Sequence, residues 1–362
     1  MRAPLPPGST IGILGGGQLG RMLAMAAARL GLKCHIYSDA SGPAFDVVAK
    51  STVGAYNDLD AVARFASSVD VVTYEFENVP HDTAAAALRV APVRPGAKAL
   101  EVAQDRLVEK QFIAGLGLPV APFAAVDDEA SLKEATRALG LPAILKTRRL
   151  GYDGKGQVRL SSDTDSATAL TAIGNAPAVL EGMVAFQFEV SVLCVRGLDG
   201  EVRFYDLPLN THANGILDTS AVPSPLPPTA VARAHDIACR IAEALDYVGV
   251  LAVELFFVGE GAAEPLVVNE IAPRVHNSGH WTIDACTVSQ FENHIRAVAG
   301  WPLGPTHRHS DALMTNLIGN DVLAWKSLAA QTATGVHLYG KNDPRPGRKM
   351  GHITRLTPKS QA

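Results

Sequence analysis

The sequence predicts an α/β protein whose central part is α+β, in three units: residues 1–104, 105–300 and 301–362. Three observations predict it. The first hundred or so residues alternate short apolar runs with helix patterns, the signature of a parallel sheet with helices on its faces. The middle carries strand-like runs in series, closed by two acid-bearing runs across a glycine-rich turn. The residues from Trp301 onward are few and include the basic run KNDPRPGRKMGH.

Each element has a local reason. TIGILG (10–15) reads as a short buried strand, and QLGRMLAMAAARLG (18–31) as a helix of strong helix formers that stops at Gly31. KCHIYSD (33–39) is a second strand, DAVARFASSV (60–69) a helix and VDVVTYEFE (69–77) a third strand. The unit closes near RVAPVRPG (89–96). The second region opens with the helix DRLVEKQFIAGLG (105–117), ended by Gly117 and Pro119. The strand-like runs are PAILKT (142–147), GQVRL (156–160), AVLEG (178–182), FEVSVLCVR (188–196) and VRFYDLPL (202–209). VPSPLPP (222–228) is a surface connection, and ARAHDIACRIAEALD (232–246) is a helix. LAVELFFV (251–258) and PLVVNEIAP (265–273) flank Gly259, Glu260 and Gly261 as a β-hairpin.

Composition narrows the function classes. Hydrophobic residues are 47% and charged residues 19% of 362, which suits a globular chain with a sizeable core. A net charge of −4 gives no general attraction to nucleic acid. Cys34, Cys194, Cys239 and Cys286 are scattered, with no CxxC pair, and read as buried thiols in a reducing compartment. MRAPLPPGST has one basic residue and no apolar segment, so no secretory signal is expected. No run approaches ~18 apolar residues, so no membrane span is expected, and the default location is cytoplasmic.

Gly15, Gly17 and Gly20 spell GxGxxG between a strand and a helix, with Asp39 at the end of the next strand. That pattern admits a nicotinamide-dependent dehydrogenase. Physically it says only that N–H groups at a helix start can receive an anion. A tight turn with no ligand is a further reading.

Stronger signals come later. In KTRRLGYDGKGQ (146–157), Gly151, Gly154 and Gly156 are interleaved with Lys146, Arg148, Arg149 and Lys155. Such a segment can fold over a phosphate chain and neutralise it. It can also be an exposed basic hairpin. No GK[ST] opens a helix, so it is not a Walker A motif. In the hairpin, Glu254 and Glu270 share an index sum centred on the Gly261–Ala262 loop and should project from one sheet at similar heights. Acids in such apolar strands need a partner. That partner is either a buried cation of the protein or Mg²⁺, with Asn269 adding an oxygen. IAPRVHNSGHW (271–281) then places Arg274, His276 and Asn277 beside them, donors suited to a small oxyanion. His276 and His280 at i,i+4 invite zinc, but Pro273 and the missing HExxH context argue against it.

Together DRLVEKQ, LKTRRLGYDGKGQ, LEG with Glu189, VELF, NEIAPRVHNSGHWT and RPGRKMGH resemble the ATP-grasp enzymes. More narrowly, they resemble the branch that carboxylates aminoimidazole ribonucleotide with bicarbonate in purine biosynthesis. The resemblance runs from GGGQLGRM to RPGRKMGH. It implies an ATP-grasp fold with an N-terminal Rossmann-like domain, a small C-terminal domain and a homodimer. Family members often continue past this GH with a further strand and helix. The resemblance also implies roles. Arg106 and Lys146 would meet ATP phosphates, and Gly151, Tyr152, Asp153, Gly154, Lys155, Gly156 and Gln157 would form a lid. Glu181, Gly182, Met183 and Val184 would line the adenine, Glu189 would bind the ribose, and His212 would lie near the nucleotide. Glu254 and Glu270 would hold Mg²⁺, with Asn269 beside them. Tyr152, Asp153, Arg274, His276 and Asn277 would serve the reacting groups, Asp153 either as proton acceptor or as a turn residue. Gln18, Leu19 and Glu75 would hold the substrate's phosphoribosyl group, with Lys341, Arg348 and Lys349 folding back onto its phosphate. The alternatives are the related formate-using glycinamide ribonucleotide transformylase, the nicotinamide dehydrogenase, and a non-catalytic nucleotide-binding module, which the presence of both glutamates disfavours.

Overall fold

The computed structural model describes residues 3–151, 154–262 and 264–360. Its first unit is a parallel sheet of β1 (Thr10–Leu14), β2 (Lys33–Ser38), β3 (Lys50–Val53) and β4 (Val71–Tyr74), in the order β3-β2-β1-β4. Four helices accompany it: α1 (Gln18–Arg29), α2 (Leu59–Ala66), α3 (His81–Leu88) and α4 (Ala97–Ala103). Helix α1 ends as expected, with Gly31 at φ +71°. Sequence reading missed β3, whose KSTV is polar and pairs only at the sheet edge. It also missed α3 and α4, built from alanine-rich stretches with little amphipathic contrast.

The middle region holds two sheets. After α5 (Arg106–Gly115) comes an antiparallel sheet of β5 (Phe123–Val126), β6 (Ala143–Thr147), β7 (Gln157–Leu160) and β8 (Ala178–Gly182), ordered β5-β8-β6-β7. Helices α6 (Glu129–Leu139) and α7 (Ser166–Ala172) cover it, burying Leu132, Leu145, Leu170 and Leu180 between them.

The large sheet has nine strands among the described residues. They are β9 (Phe188–Arg196), β10 (Val202–Phe204), β11 (Leu209–Ala213), β12 (Ile216–Val222), β13 (Gly249–Phe257), β14 (Leu266–Ala272), β15 (Ser310–Ile318), β16 (Thr334–Leu338) and β17 (Lys349–Pro358). The order is β14-β13-β9-β11-β12-β15-β17-β16, with β10 on β9. VRFYDLPL is therefore split between β10 and the start of β11. The C-terminal strands extend the central sheet through the β12–β15 pairing. Helix α8 (Pro228–Ala244) packs apolar residues such as Ile237 and Ile241 onto that sheet, and α9 (Thr282–Ala285) and α10 (Gln290–Ala299) follow β14.

A buried histidine ties the first unit to this sheet. His294 of α10 accepts at Nδ1 from the Val250 N–H of β13 at 3.1 Å, so its Nε2–H donates to Thr73 Oγ1 of β4 at 2.9 Å. Burial lowers its pKa to about 3, and it also drives His280 and His352 well below their ordinary value. Groups held neutral in the fold bind protons first in the unfolded chain. Their stabilising contribution is complete above the unfolded value near 6.5 and is lost as pH falls towards 3. Stability should decline below about pH 6.5 by about 1.4 kcal/mol per pH unit for each such histidine. Urea unfolding at several pH values measures the slope, and His294→Gln should make it shallower by one histidine's share.

Candidate functional site

The glycine loop leads from β1 into α1, and the anion it grips belongs to the protein itself. Gly17 N–H donates to Glu75 Oε1 at 2.6 Å and Gly20 N–H to Glu75 Oε2 at 2.9 Å. Glu75 follows β4 and is buried. The fit demands glycine: at Gly15 (φ +116°) a Cβ would lie 2.4 Å from Glu75 Cγ. Burial raises the Glu75 pKa against the lowering by these two bonds. Between the two bonded groups, the N–H groups of Gln18 and Leu19 make no hydrogen bond among the described residues. They are the donors this helix start has left for a ligand.

Across the cleft, α5, β6 and β8 build a charged cradle. Lys146 of β6 donates to Glu181 Oε2 at 3.0 Å, and Lys110 of α5 forms an ion pair with the same oxygen at 3.1 Å. Burial would raise the Glu181 pKa, but the two ammonium groups pull it below its usual value. Its Oε1 is buried with no hydrogen-bond partner among the described residues, an acceptor aimed at whatever fills the cradle. The Gly182 and Met183 N–H groups are bonded to the Pro122 and Pro142 carbonyls, and half-buried Val184 follows. Farther along, Glu189 Oε2 of β9 and His212 Nδ1 of β11 approach to 3.1 Å, close enough for an ion pair but without hydrogen-bond alignment.

The glycine-rich lid leaves β6 and returns into β7. Thr147 N–H donates to Gly156 O at 2.8 Å, and Gly154 and Gly156 have φ +76° and +70°. Gly154 lies against the Asn214–Gly215 turn between β11 and β12. Lys155 and Gln157 are exposed. Tyr152 and Asp153 lie outside the described residues. Two of the four cations expected to line the phosphate chain point elsewhere. Arg148 is bidentate to Asp105, and Arg149 donates to Gln104 Oε1 at 2.9 Å, so both fasten the foot of the lid. Arg106 faces inward instead, reaching Glu270 Oε2 at 2.8 Å and the Gly151 carbonyl at 3.2 Å.

Glu254 and Glu270 stand opposite each other in the β13–β14 pairing. The register slips immediately afterwards, Leu255 facing Val268, so Asn269 is the extra residue of a bulge. Its Nδ2 donates to Glu254 Oε2 at 3.4 Å. Burial and the Glu270 charge raise the Glu254 pKa to about 7. For Glu270 burial opposes ionisation, but the Arg106 guanidinium, with Lys146, holds its carboxyl low. That side chain is still 39% exposed to the cleft, so solvent screens part of the attraction. Two facing carboxylates with repulsion to relieve, and an amide oxygen beside them, fit a Mg²⁺ ion that completes its shell with phosphates and water. Among the described residues no cluster of three or more His, Cys, Asp or Glu forms a self-sufficient metal cage.

The segment after β14 orders the remaining polar groups. Arg274 donates from Nε to Glu77 Oε2 and from Nη1 to Val275 O at 3.1 Å. Burial, with the Arg274 and Lys349 charges, lowers the His276 pKa to about 3. The neutral ring accepts at Nδ1 from Ser278, 2.8 Å to Oγ, and its Nε2 lies 3.2 Å from Glu254 Oε1 without hydrogen-bond alignment. Asn277 exchanges two amide hydrogen bonds with Asn316 of β15, at 3.0 and 2.8 Å, so its carboxamide pins the loop to the sheet. His280 turns into the core against His352 and Phe291.

The basic tail does fold back. Gly340 packs beside Arg21 and Asp46 of the first unit. Lys341 Nζ donates to Lys349 O at 2.7 Å, and Arg348 Nη1 donates to Asp343 O at 2.9 Å. Sequence reading missed Lys110, Glu77, Gln104 and Asp105. Only Lys110 had a signal, because with Glu109 it puts charge on the apolar stripe of Leu107 and Ile113.

This geometry has known counterparts. Residues 9–104 match the ribonucleotide synthetase preATP-grasp domain, 111–291 the ATP-grasp domain, and 312–362 the phosphoribosylaminoimidazole carboxylase C-terminal domain. The chain is 52% identical over 362 residues to an N5-carboxyaminoimidazole ribonucleotide synthase of Brucella melitensis, covering 99% of each chain. It belongs to the N5-carboxyaminoimidazole ribonucleotide synthases. These are ATP-grasp ligases, and the fold here is theirs. The synthetase structure from Thermus thermophilus superposes with a TM-score of 0.89 at 48% identity, over 96% of this chain and 93% of that one. The family member from Aspergillus clavatus, in complex with ADP and 5-aminoimidazole ribonucleotide, gives 0.89 at 30% identity, over 98% and 95%. Membership in this family sets aside the transformylase. The same membership sets aside the dehydrogenase, and the glycine loop already spends its Gly17 and Gly20 N–H groups on Glu75.

Proposed function

We propose that this chain joins bicarbonate to the exocyclic amine of aminoimidazole ribonucleotide at the expense of ATP, a step of de novo purine biosynthesis. The observation that carries this reading is the position of Arg274. It is bonded to Glu77, just beyond the β4 end that carries Glu75, and its charge also acts on Glu270. The ribonucleotide side and the phosphoryl-transfer side therefore meet at one guanidinium. On the nucleotide side, Lys146, Arg106 and the lid backbone neutralise the phosphates. Glu181 offers Oε1 to the base, and Glu189 accepts from the ribose. When bound, Mg²⁺ on Glu254 and Glu270 would offset charge on the transferring phosphoryl group.

Bicarbonate held by Arg274 and screened by neutral His276 takes the γ-phosphoryl group of ATP, giving ADP and carboxyphosphate. The carbon–oxygen bond of carboxyphosphate then breaks, releasing phosphate and CO₂. The amine forms the new nitrogen–carbon bond and gives up a proton, with Asp153 placed by sequence to receive it. The protein forms no covalent intermediate, so orientation and charge neutralisation supply the rate. The test is ADP release with each co-substrate omitted. Full turnover should need both the ribonucleotide and bicarbonate, and an unchanged rate without either would overturn the reading.

For the phosphate of the ribonucleotide we assign the Gln18 and Leu19 N–H groups, with Lys341, Arg348 and Lys349. Arg348→Ala should weaken aminoimidazole ribonucleotide binding by roughly 10- to 150-fold, the worth of a charge-assisted phosphate contact. ATP affinity should stay within about twofold, since the tail lies on the ribonucleotide side. Calorimetric titration of both ligands separates these outcomes. The unit breaks at 104/105 and 300/301, a homodimer and a cytoplasmic location complete the reading. Light scattering of the purified chain tests the dimer. No helix among the described residues is long and apolar enough to cross a membrane.

A further inference from the structure

Gln104 lies at the join of α4 and α5, yet it is only 6% exposed. Its carboxamide is fully used. Nε2 donates to the Glu77 carbonyl at 2.9 Å and to the Val79 carbonyl, and Oε1 accepts from Arg149 Nη2 at 2.9 Å. The orientation has no alternative. Carbonyls only accept and a guanidinium only donates, so a flipped amide would leave buried groups unpaired.

The partners matter more than the bonds. Residues 75–79 carry Glu75, which fills the glycine loop, and Glu77, which holds Arg274. Arg149 stands at the foot of the lid, next to Arg148 on Asp105, and the Arg148 carbonyl accepts from Arg106 N–H at 2.9 Å. Three successive residues, Gln104, Asp105 and Arg106, thus grip the lid base. Gln104 alone among them also grips the loop on the ribonucleotide side.

We infer that Gln104 is a positioning residue that couples the lid over the nucleotide to the loop bearing Glu75 and Glu77, so that each ligand tightens binding of the other. This rests on the assignment of the two halves given under the proposed function. A nucleotide held against β6 and the foot of the lid restrains Arg149, and through the amide it restrains the loop. A ribonucleotide that orders the loop acts in reverse, and the two effects must be equal in binding free energy. A glutamine that merely fills space between α4 and the loop would change stability and leave this linkage intact.

The test is calorimetric titration of the full chain with 5-aminoimidazole ribonucleotide, with and without a saturating non-hydrolysable ATP analogue and Mg²⁺. The analogue should tighten ribonucleotide binding at least about fivefold in the wild-type chain. Gln104→Leu should bring that ratio close to one. Arg149→Met removes only the lid end and leaves the amide on the loop, so it carries the test if the buried substitution unfolds the chain. It too should bring the ratio close to one, Arg149→Lys should restore part of it, and the double variant should lose no more than either single one. An Arg149→Met chain with the full wild-type ratio overturns the inference. So does a wild-type chain that binds both ligands with a ratio of one, while the functional reading stands. A wild-type chain that binds neither ligand overturns both.

Discussion

Glu270→Gln should lower turnover by about a thousandfold or more while leaving the chain folded. The amide keeps the size of the side chain and one hydrogen bond to Arg106, so packing changes little. What is lost is a negative charge that serves two ends. It pairs with Arg106 at 2.8 Å, and it is one of the two carboxylates proposed to hold Mg²⁺. Terms of this kind are commonly worth several kcal/mol in a phosphoryl-transfer transition state. Glu254→Gln should match it in activity but differ in stability. In the ligand-free chain Glu254 is pushed up to about 7 by burial and by Glu270, so its ionised form is a burden on the fold. Removing that charge should leave the melting temperature in EDTA unchanged or higher at pH 8. Near-normal turnover at low Mg²⁺ in either variant would take that residue out of the metal site.

The second large effect is at the Arg274–Glu77 pair. Arg274→Met should destabilise the chain by about 3–5 kcal/mol, because it leaves the Glu77 carboxylate enclosed without its partner. Both side chains are mostly enclosed, 17% and 23% exposed, so screening removes only part of this. It should also abolish carboxylation, since the guanidinium is the group proposed to hold bicarbonate. The double variant Glu77→Gln/Arg274→Met separates the two effects. It should recover most of the stability and none of the turnover. Urea midpoints with product assays on the wild type, the two single variants Glu77→Gln and Arg274→Met, and the double variant decide it. A double variant as unstable as Arg274→Met would show that the loss comes from packing rather than from an unpaired charge.

Sequence resolved some of this site and not the rest, for physical reasons. The facing of Glu254 and Glu270 was legible because an antiparallel hairpin pairs residues of constant index sum. The Asn269 bulge was not, since nothing in VVNEIA marks the extra residue. The glycine motif correctly announced an anion at the α1 start. It could not say that the anion is Glu75, which is brought there by the β1–β4 pairing. Charge density in the lid was legible, but the direction of each arginine was not. Arg148 and Arg149 turn to Asp105 and Gln104, whose adjacency to the lid exists only in three dimensions. The tail's return over the first unit followed from the resemblance and not from its composition. The absence of a separate sheet for it could not be read at all, because β15 joins β12 across nearly ninety intervening residues.

That last pairing decides how the chain can be cut. A protease nick in the segment between α10 and β15 would sever the backbone without freeing the fragment. Strands β15 and β17 would remain laced to β12 and to each other. The two pieces should co-elute on gel filtration and come apart only in denaturant. Ending translation before residue 301 is a different injury. It would bare the outer edge of β12, along which Leu217 and Val222 are buried in the intact protein. An unpaired strand edge flanked by apolar side chains recruits other chains. The C-terminal strands therefore act as a stopper against self-association, independently of any phosphate they hold.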